Sequence, residues 1–230
     1  MGSQEEPLVA ALDFDTHKSA TYCGHCFRNM KGAVPAAIEA DVLRTVFCSQ
    51  QCNVRAKLQT DNFLFGEGRA LPLGLDDEPS DEAKVDRKEA QEAFIDLWRN
   101  SNKTSLMIAA RLAALQINAE IIKAVPSAEA FQQEFPKLCF INDYSISDHM
   151  ERLRYLDLDV PKAELRSSQH LLAMTTPALA ASHTDERYLV LRGKVTYNAI
   201  GVNFDENTER DVRSPSWFKA KRMLISTAAS

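Results

Sequence analysis

Cys23-Gly24-His25-Cys26 and Cys48-Ser49-Gln50-Gln51-Cys52 together hold four of the five cysteines in the chain. Two residues separate the cysteines of the first pair and three those of the second, so one short turn can direct two sulfur atoms at a single ion. Two such pairs supply the four thiolates of a tetrahedral zinc site. The sequence therefore predicts one zinc ion bound by Cys23, Cys26, Cys48 and Cys52, with Gly24 easing the first turn.

The alternative use of these cysteines is a disulfide framework. The N-terminal residues show neither the charged region nor the apolar region of a secretory signal peptide, and the cysteine total is odd. Both observations favour a reducing compartment, and we expect a cytoplasmic or nuclear protein. Four thiolates close the coordination sphere and leave no position for water or substrate, so the predicted zinc ion is structural rather than catalytic.

Composition limits the classes of partner. With 230 residues, of which 45% are hydrophobic, the chain can bury a core as one large domain or as a domain with a small module. The formal net charge of -5 makes nucleic acid an unlikely principal partner. No uninterrupted apolar run approaches the roughly 20 residues that cross a bilayer, so no membrane contact is expected.

Periodicity and breaker residues predict mostly helices. Residues 7–13 are typical of a strand, and the second cysteine pair runs into helical sequence that places Cys52 on a first turn. Gly, Pro, Asp and Glu dominate from Gly66 to Asp86, which indicates a linker. Helices are predicted from Ser80, over 105–124, over 146–156 and over 162–174; a helix followed by a strand is compatible with 186–202, and an irregular tail is predicted over 205–230.

Several stretches resemble the SET and MYND domain family of protein lysine methyltransferases. They are Glu5–Val9, Tyr22–Phe27, Phe47–Cys52, Ser147–Leu153 and Val195–Ile200. The resemblance implies an α+β, mostly helical fold in which a small MYND-like zinc finger is inserted into an incomplete SET domain. Its ranges would be an N-terminal SET segment at 1–20, the finger at 21–58, a linker at 59–90, a helical region at 91–180, a partial SET segment at 181–204 and the tail at 205–230.

The resemblance also implies that half of the finger is missing. Complete fingers of this family bind two zinc ions, the first and third ligand pairs holding one ion and the second and fourth pairs the other. The second pair has no counterpart between Met30 and Val46, and no His-x-x-x-Cys follows Cys52 within residues 53–63. One complete site and one lost site are expected.

Catalytic elements are sparse in the same comparison. His149 matches a position that contacts S-adenosylmethionine, although packing is the other interpretation of a lone helical histidine. No Gly-x-Gly turn precedes Glu5, and no Asn-His-Ser-Cys follows the predicted Tyr197-Asn198 strand. We therefore expect a catalytically incomplete relative that acts through protein contacts of the finger and helices. The alternatives are an active S-adenosylmethionine-dependent lysine methyltransferase and a zinc-stabilised helical adaptor.

Overall fold

Helices make up most of the computed structural model, which describes residues 8–38, 42–66, 81–124, 140–141, 144–202 and 222–225. The helices are α1 (Phe14–Lys18), α2 (Gln50–Ala56), α3 (Asn62–Phe65), α4 (Asp81–Ser101), α5 (Thr104–Ala124), α6 (Ile146–Arg152), α7 (Lys162–Thr175) and α8 (Asp185–Asn198). The strands are β1 (Val9–Leu12), β2 (Ala37–Ile38), β3 (Val46–Phe47), β4 (Phe140–Ile141), β5 (Tyr144–Ser145), β6 (Ala199–Val202) and β7 (Arg222–Ile225). The predicted α+β, mostly helical class is confirmed.

The largest sheet contains a strand that the sequence did not reveal. Strand β7 lies between β1 and β6 and is antiparallel to both, so that Val9 and Ala199 each pair with Ile225. The prediction of an irregular tail over 205–230 is therefore wrong at Arg222–Ile225. A four-residue strand gives little local signal, and its hydrogen-bonding partners lie far away in the sequence.

Helix α5 forms the centre of the main core. Leu106, Ile108 and Leu112 are fully buried, and residues from β1, α3, α4, α6 and α7 join the same apolar cluster. Thr104–Lys123 is long and apolar enough to cross a membrane by length and composition. Within the structure, 72% of its most apolar window is buried, as in the core helix of a globular domain.

Two polar side chains fix α5 to its neighbours. Arg111 contacts the carboxylate of Asp61 at 3.1 Å and donates to the carbonyl of Ala10 at 3.0 Å, although Arg111 and Asp61 are both buried. Asn118 donates to the carbonyl of Leu58. Leu58 and Asp61 belong to a π-helical turn, Lys57–Asp61, that joins α2 to α3. These contacts attach the end of the cysteine-bearing module to the core.

The predicted linker over 59–90 is helical at both ends. Residues 57–65 continue α2 through the π-helical turn into α3, because Phe63, Leu64 and Phe65 are buried in the main core. Helix α4 already begins at Asp81, where acidic residues favour a helix N-terminus. The helix predicted from Ser80 is therefore confirmed, whereas the linker range that the resemblance implied extends too far in both directions. The middle of that range lies outside the described residues.

Helix α8 runs unusually close to the segment after α6. A side chain at Gly193 would collide with the backbone carbonyl of Leu156. The N–H of Leu156 donates a hydrogen bond to the carbonyl of Gly193 at 3.4 Å. This extended segment ends α6 at Arg152, short of the predicted helix end at 156. The predicted Tyr197-Asn198 strand is also wrong, because α8 continues to Asn198 and β6 starts at the next residue.

Candidate metal centre

The first cysteine pair lies in a tight backbone turn. Cys23 donates its N–H to the carbonyl of Arg28 and accepts at its own carbonyl from the N–H of Phe27, both at 3.0 Å. Phe27 takes the left-handed conformation of the turn, with φ of 59°. The glycine of this turn, Gly24, does not have a positive φ. Its backbone instead lies against Thr45, where a side chain would collide with Cγ2.

The second pair joins a strand to a helix. Cys48 directly follows β3, and Ser49 caps α2 by accepting a hydrogen bond from the N–H of Cys52 at 3.1 Å. The prediction that Cys52 lies on the first turn of α2 is confirmed. The role of Ser49 was not predicted, although a serine three residues before Cys52 is a recognisable capping signal.

Backbone hydrogen bonds bring the two pairs together. The N–H of Gly24 donates to the carbonyl of Val46 at 2.8 Å, directly linking the first turn to β3. Beneath the sulfurs lies a small apolar cluster of Cys23, Met30, Val46, Phe47 and Ala56. The module thus has its own core, although it is too small to stabilise such a fold without a metal or other support.

The four sulfur atoms form one compact group, all within 4.8 Å of one another. The Sγ atoms of Cys26 and Cys48 are 3.5 Å apart, and those of Cys48 and Cys52 are 3.7 Å apart. Zinc–sulfur bonds of about 2.3 Å at tetrahedral angles require sulfur separations of about 3.8 Å, whereas a disulfide requires about 2.05 Å. None of the four forms a disulfide in this structure. Cys23, Cys26, Cys48 and Cys52 could hold one zinc ion.

Hydrogen bonds between the cysteines, together with burial, shift the pKa values of three of the four thiols. A hydrogen bond with the Cys26 side chain lowers the pKa of Cys23, and N–H groups of Cys48, Cys26 and His25 add to the effect. The same contact with Cys23 raises the pKa of Cys26, and burial raises that of Cys52. The pKa shifts thus favour the thiolate form of Cys23 and the protonated forms of Cys26 and Cys52. A divalent ion supplies the positive charge that lets all four deprotonate.

His149, the other predicted site residue, makes its contacts away from the cysteine cluster. His149 on α6 is buried, with its ring edge against Tyr144 at a centroid distance of 5.9 Å. Asn198 donates to the carbonyl of Arg154 at 2.7 Å and so holds a neighbouring segment. The S-adenosylmethionine contact at His149 stays a prediction. Cys139, the fifth cysteine, lies outside the described residues.

Comparisons with known proteins give no further identification. No family model matches the chain, and no curated protein or solved structure matches it. The zinc interpretation therefore depends on the cysteine spacing and the sulfur geometry.

Proposed function

We propose that this protein binds one structural zinc ion through Cys23, Cys26, Cys48 and Cys52 and acts through contacts with other proteins. The observation that carries the proposal is the compact group of four free sulfurs, all within 4.8 Å of one another. An all-sulfur ligand set is typical of structural zinc, since it leaves no open coordination position. A descent from SET and MYND proteins, with catalysis lost, is part of this proposal.

The zinc ion would organise the surface on which the module meets the helices. In the sequence, its two ligand pairs precede and follow the 42–45 segment. Leu43 of that segment packs in the main core. Binding energy of zinc to a flexible chain appears as folding energy, with apparent values of about 10–16 kcal/mol in zinc-finger peptides near pH 7. We therefore expect metal removal to unfold the module.

Metal analysis of the full chain tests the ligand assignment. The wild type should carry one zinc ion per chain, and Cys26→Ser or Cys48→Ser should lose it together with thermal stability. Cys139→Ser is the matched control, because it removes the fifth cysteine and should keep the metal. Full zinc occupancy and an unchanged melting temperature in Cys26→Ser and Cys48→Ser would refute the assignment.

Calorimetry with S-adenosylmethionine tests whether the enzyme alternative holds. We expect no binding tighter than millimolar in the zinc-loaded chain. Micromolar binding that is lost in His149→Gln, with zinc content and melting temperature unchanged, would instead support the methyltransferase interpretation. A structural role of His149 alone would change the melting temperature without any cofactor-binding signal.

A further inference from the structure

The four sulfur-bearing residues of the candidate zinc site differ in their access to solvent. Cys26 is exposed, whereas Cys48 and Cys52 are half-buried. Cys23 is fully buried and belongs to the small apolar cluster beneath the sulfurs. The reactivity of a cysteine towards an oxidant follows its thiolate character and its exposure. Cys26 is therefore the ligand that a small dissolved oxidant can reach most easily.

The sulfur of Cys26 also lies next to a sulfur of the other cysteine pair. The Sγ atoms of Cys26 and Cys48 are 3.5 Å apart, closer than the 3.7 Å between Cys48 and Cys52 within the second pair. A disulfide bond of about 2.05 Å requires the two sulfurs to approach by only about 1.5 Å. The backbones that carry them are already joined, because the N–H of Gly24 donates to the carbonyl of Val46 at 2.8 Å.

Cys23, within the same turn as Cys26, is the competing partner and is held more firmly. The backbone N–H and carbonyl of Cys23 are both hydrogen-bonded within the turn at 3.0 Å. The residue shares its apolar cluster with Met30 and Phe47, so movement of its sulfur towards solvent would disturb that packing. Cys48 is only half-buried, and it has no place in the buried part of this cluster.

We propose that Cys26 is an oxidation site for hydrogen peroxide and that Cys48 is its disulfide partner. The Cys26 thiolate attacks one oxygen of the peroxide, the O–O bond breaks, and the departing hydroxide takes a proton to become water. The Cys48 thiolate then attacks the sulfenic sulfur of Cys26, so that the S–S bond forms and a second protonated hydroxide leaves as water. The two thiolates lose two electrons, and one peroxide with two protons becomes two waters.

The inference rests on the proposed function, because it assigns a means of control to the same zinc site. Cysteine ligands of zinc are deprotonated, so the zinc-loaded chain presents Cys26 as an exposed thiolate. A disulfide between Cys26 and Cys48 would remove two of the four ligands and leave an open, weaker site. Oxidation should therefore release zinc while a covalent bond keeps the two turns together, and reduction should restore the ligand set.

Disulfide mapping by mass spectrometry, combined with a zinc-release assay, tests the proposal on the full chain of Cys139→Ser. This variant lacks the fifth cysteine, so every disulfide must lie among the four ligands. Hydrogen peroxide should release the zinc ion and link Cys26 to Cys48 in at least about tenfold excess over either disulfide within a pair. Dithiothreitol should restore free thiols and zinc binding.

The same oxidation of the urea-unfolded variant is the matched control. Cys26 and Cys48 are separated by 22 residues, whereas the cysteines within each pair are close neighbours in the sequence. Closing a short loop costs less chain entropy than closing a long one. Disulfides within the pairs should therefore dominate in urea, and the link between Cys26 and Cys48 should require the fold.

The outcomes separate this inference from the zinc assignment. A predominant disulfide within either pair of the folded chain would overturn the proposal, and so would equal disulfide distributions with and without urea. Four unmodified thiols at peroxide concentrations that oxidise free cysteine would overturn it as well. Zinc content is measured before peroxide is added. A chain without zinc would refute the metal assignment, while the disulfide map would still show which sulfurs react.

Discussion

Replacement of Gly24 by alanine should damage both the fold of the cysteine module and its affinity for zinc. The new methyl carbon would lie well inside contact distance of Thr45 Cγ2, and Phe47 Cε1 lies 3.6 Å away on another side. To reach a close carbon contact of about 3.5 Å, Gly24 and Thr45 must separate by about 1 Å or more. Thr45 is buried and β-branched, so rotation offers little relief.

The expected loss of stability in Gly24→Ala comes from the contacts that join the two cysteine-bearing turns. Overpacking typically costs about 1–3 kcal/mol, and separation also weakens the hydrogen bond from Gly24 to Val46, worth about 1 kcal/mol. We expect a loss of about 2–3 kcal/mol, which is roughly a 30- to 150-fold loss in zinc affinity where folding and binding are coupled. Zinc–sulfur distances tolerate only about 0.2 Å, so the sulfurs cannot absorb the shift.

Zinc competition with a chelator of known affinity, combined with urea denaturation, measures both effects. Gly32→Ala is the control within the module, because nothing lies within 4 Å of its new methyl group. Its φ of 79° should cost about 1 kcal/mol in stability and leave zinc affinity nearly unchanged. Thr45→Ala should largely rescue Gly24→Ala, since it removes the colliding atom. Zinc affinity within threefold of wild type in Gly24→Ala would refute the reasoning.

Three further predictions concern the helical core. Gly193→Ala, a change that usually stabilises a helix, should cost about 1–3 kcal/mol in urea denaturation because the methyl group meets the Leu156 carbonyl. Glu164→Gln should cost about 3–5 kcal/mol in the same assay, because Arg192 keeps a buried charge without its carboxylate. Burial lowers the pKa of His17 in the fold, so the unfolded chain binds the proton more readily below about pH 6.5. Wild-type stability should therefore fall from pH 7 to 5, and His17→Gln should fall less steeply.

Each of these has a control on the same chain. Thr196→Ala on the exposed face of α8 should be neutral or slightly stabilising, and a gain in Gly193→Ala would contradict the steric argument. Replacing Glu164 and Arg192 together with leucine should cost less than Glu164→Gln alone. For the pH profile, exposed His170→Gln should follow the wild type. If the stability of His17→Gln falls with pH in parallel with wild type, His17 does not contribute to the pH dependence of stability.

The local features of this protein could be predicted from its sequence. Spacing within each cysteine pair identifies the candidate metal ligands, because two ligands on one turn are fixed by a few neighbouring dihedral angles. Apolar periodicity identified α5 and α7 almost to the residue, since a long helix satisfies its backbone hydrogen bonds internally. The position of Cys52 on the first turn of α2 was likewise predictable from the neighbouring residues.

Only the tertiary structure decided the features that join distant residues. Strand β7 has partners from both ends of the chain, and Gly24 is required by Thr45 rather than by its own dihedral angles. The ion pair of Arg111 with Asp61 likewise joins segments that no local pattern associates. Sequence therefore determined which atoms could bind a metal. Packing determined that the four sulfurs meet, because their separation depends on the backbone contact between two turns.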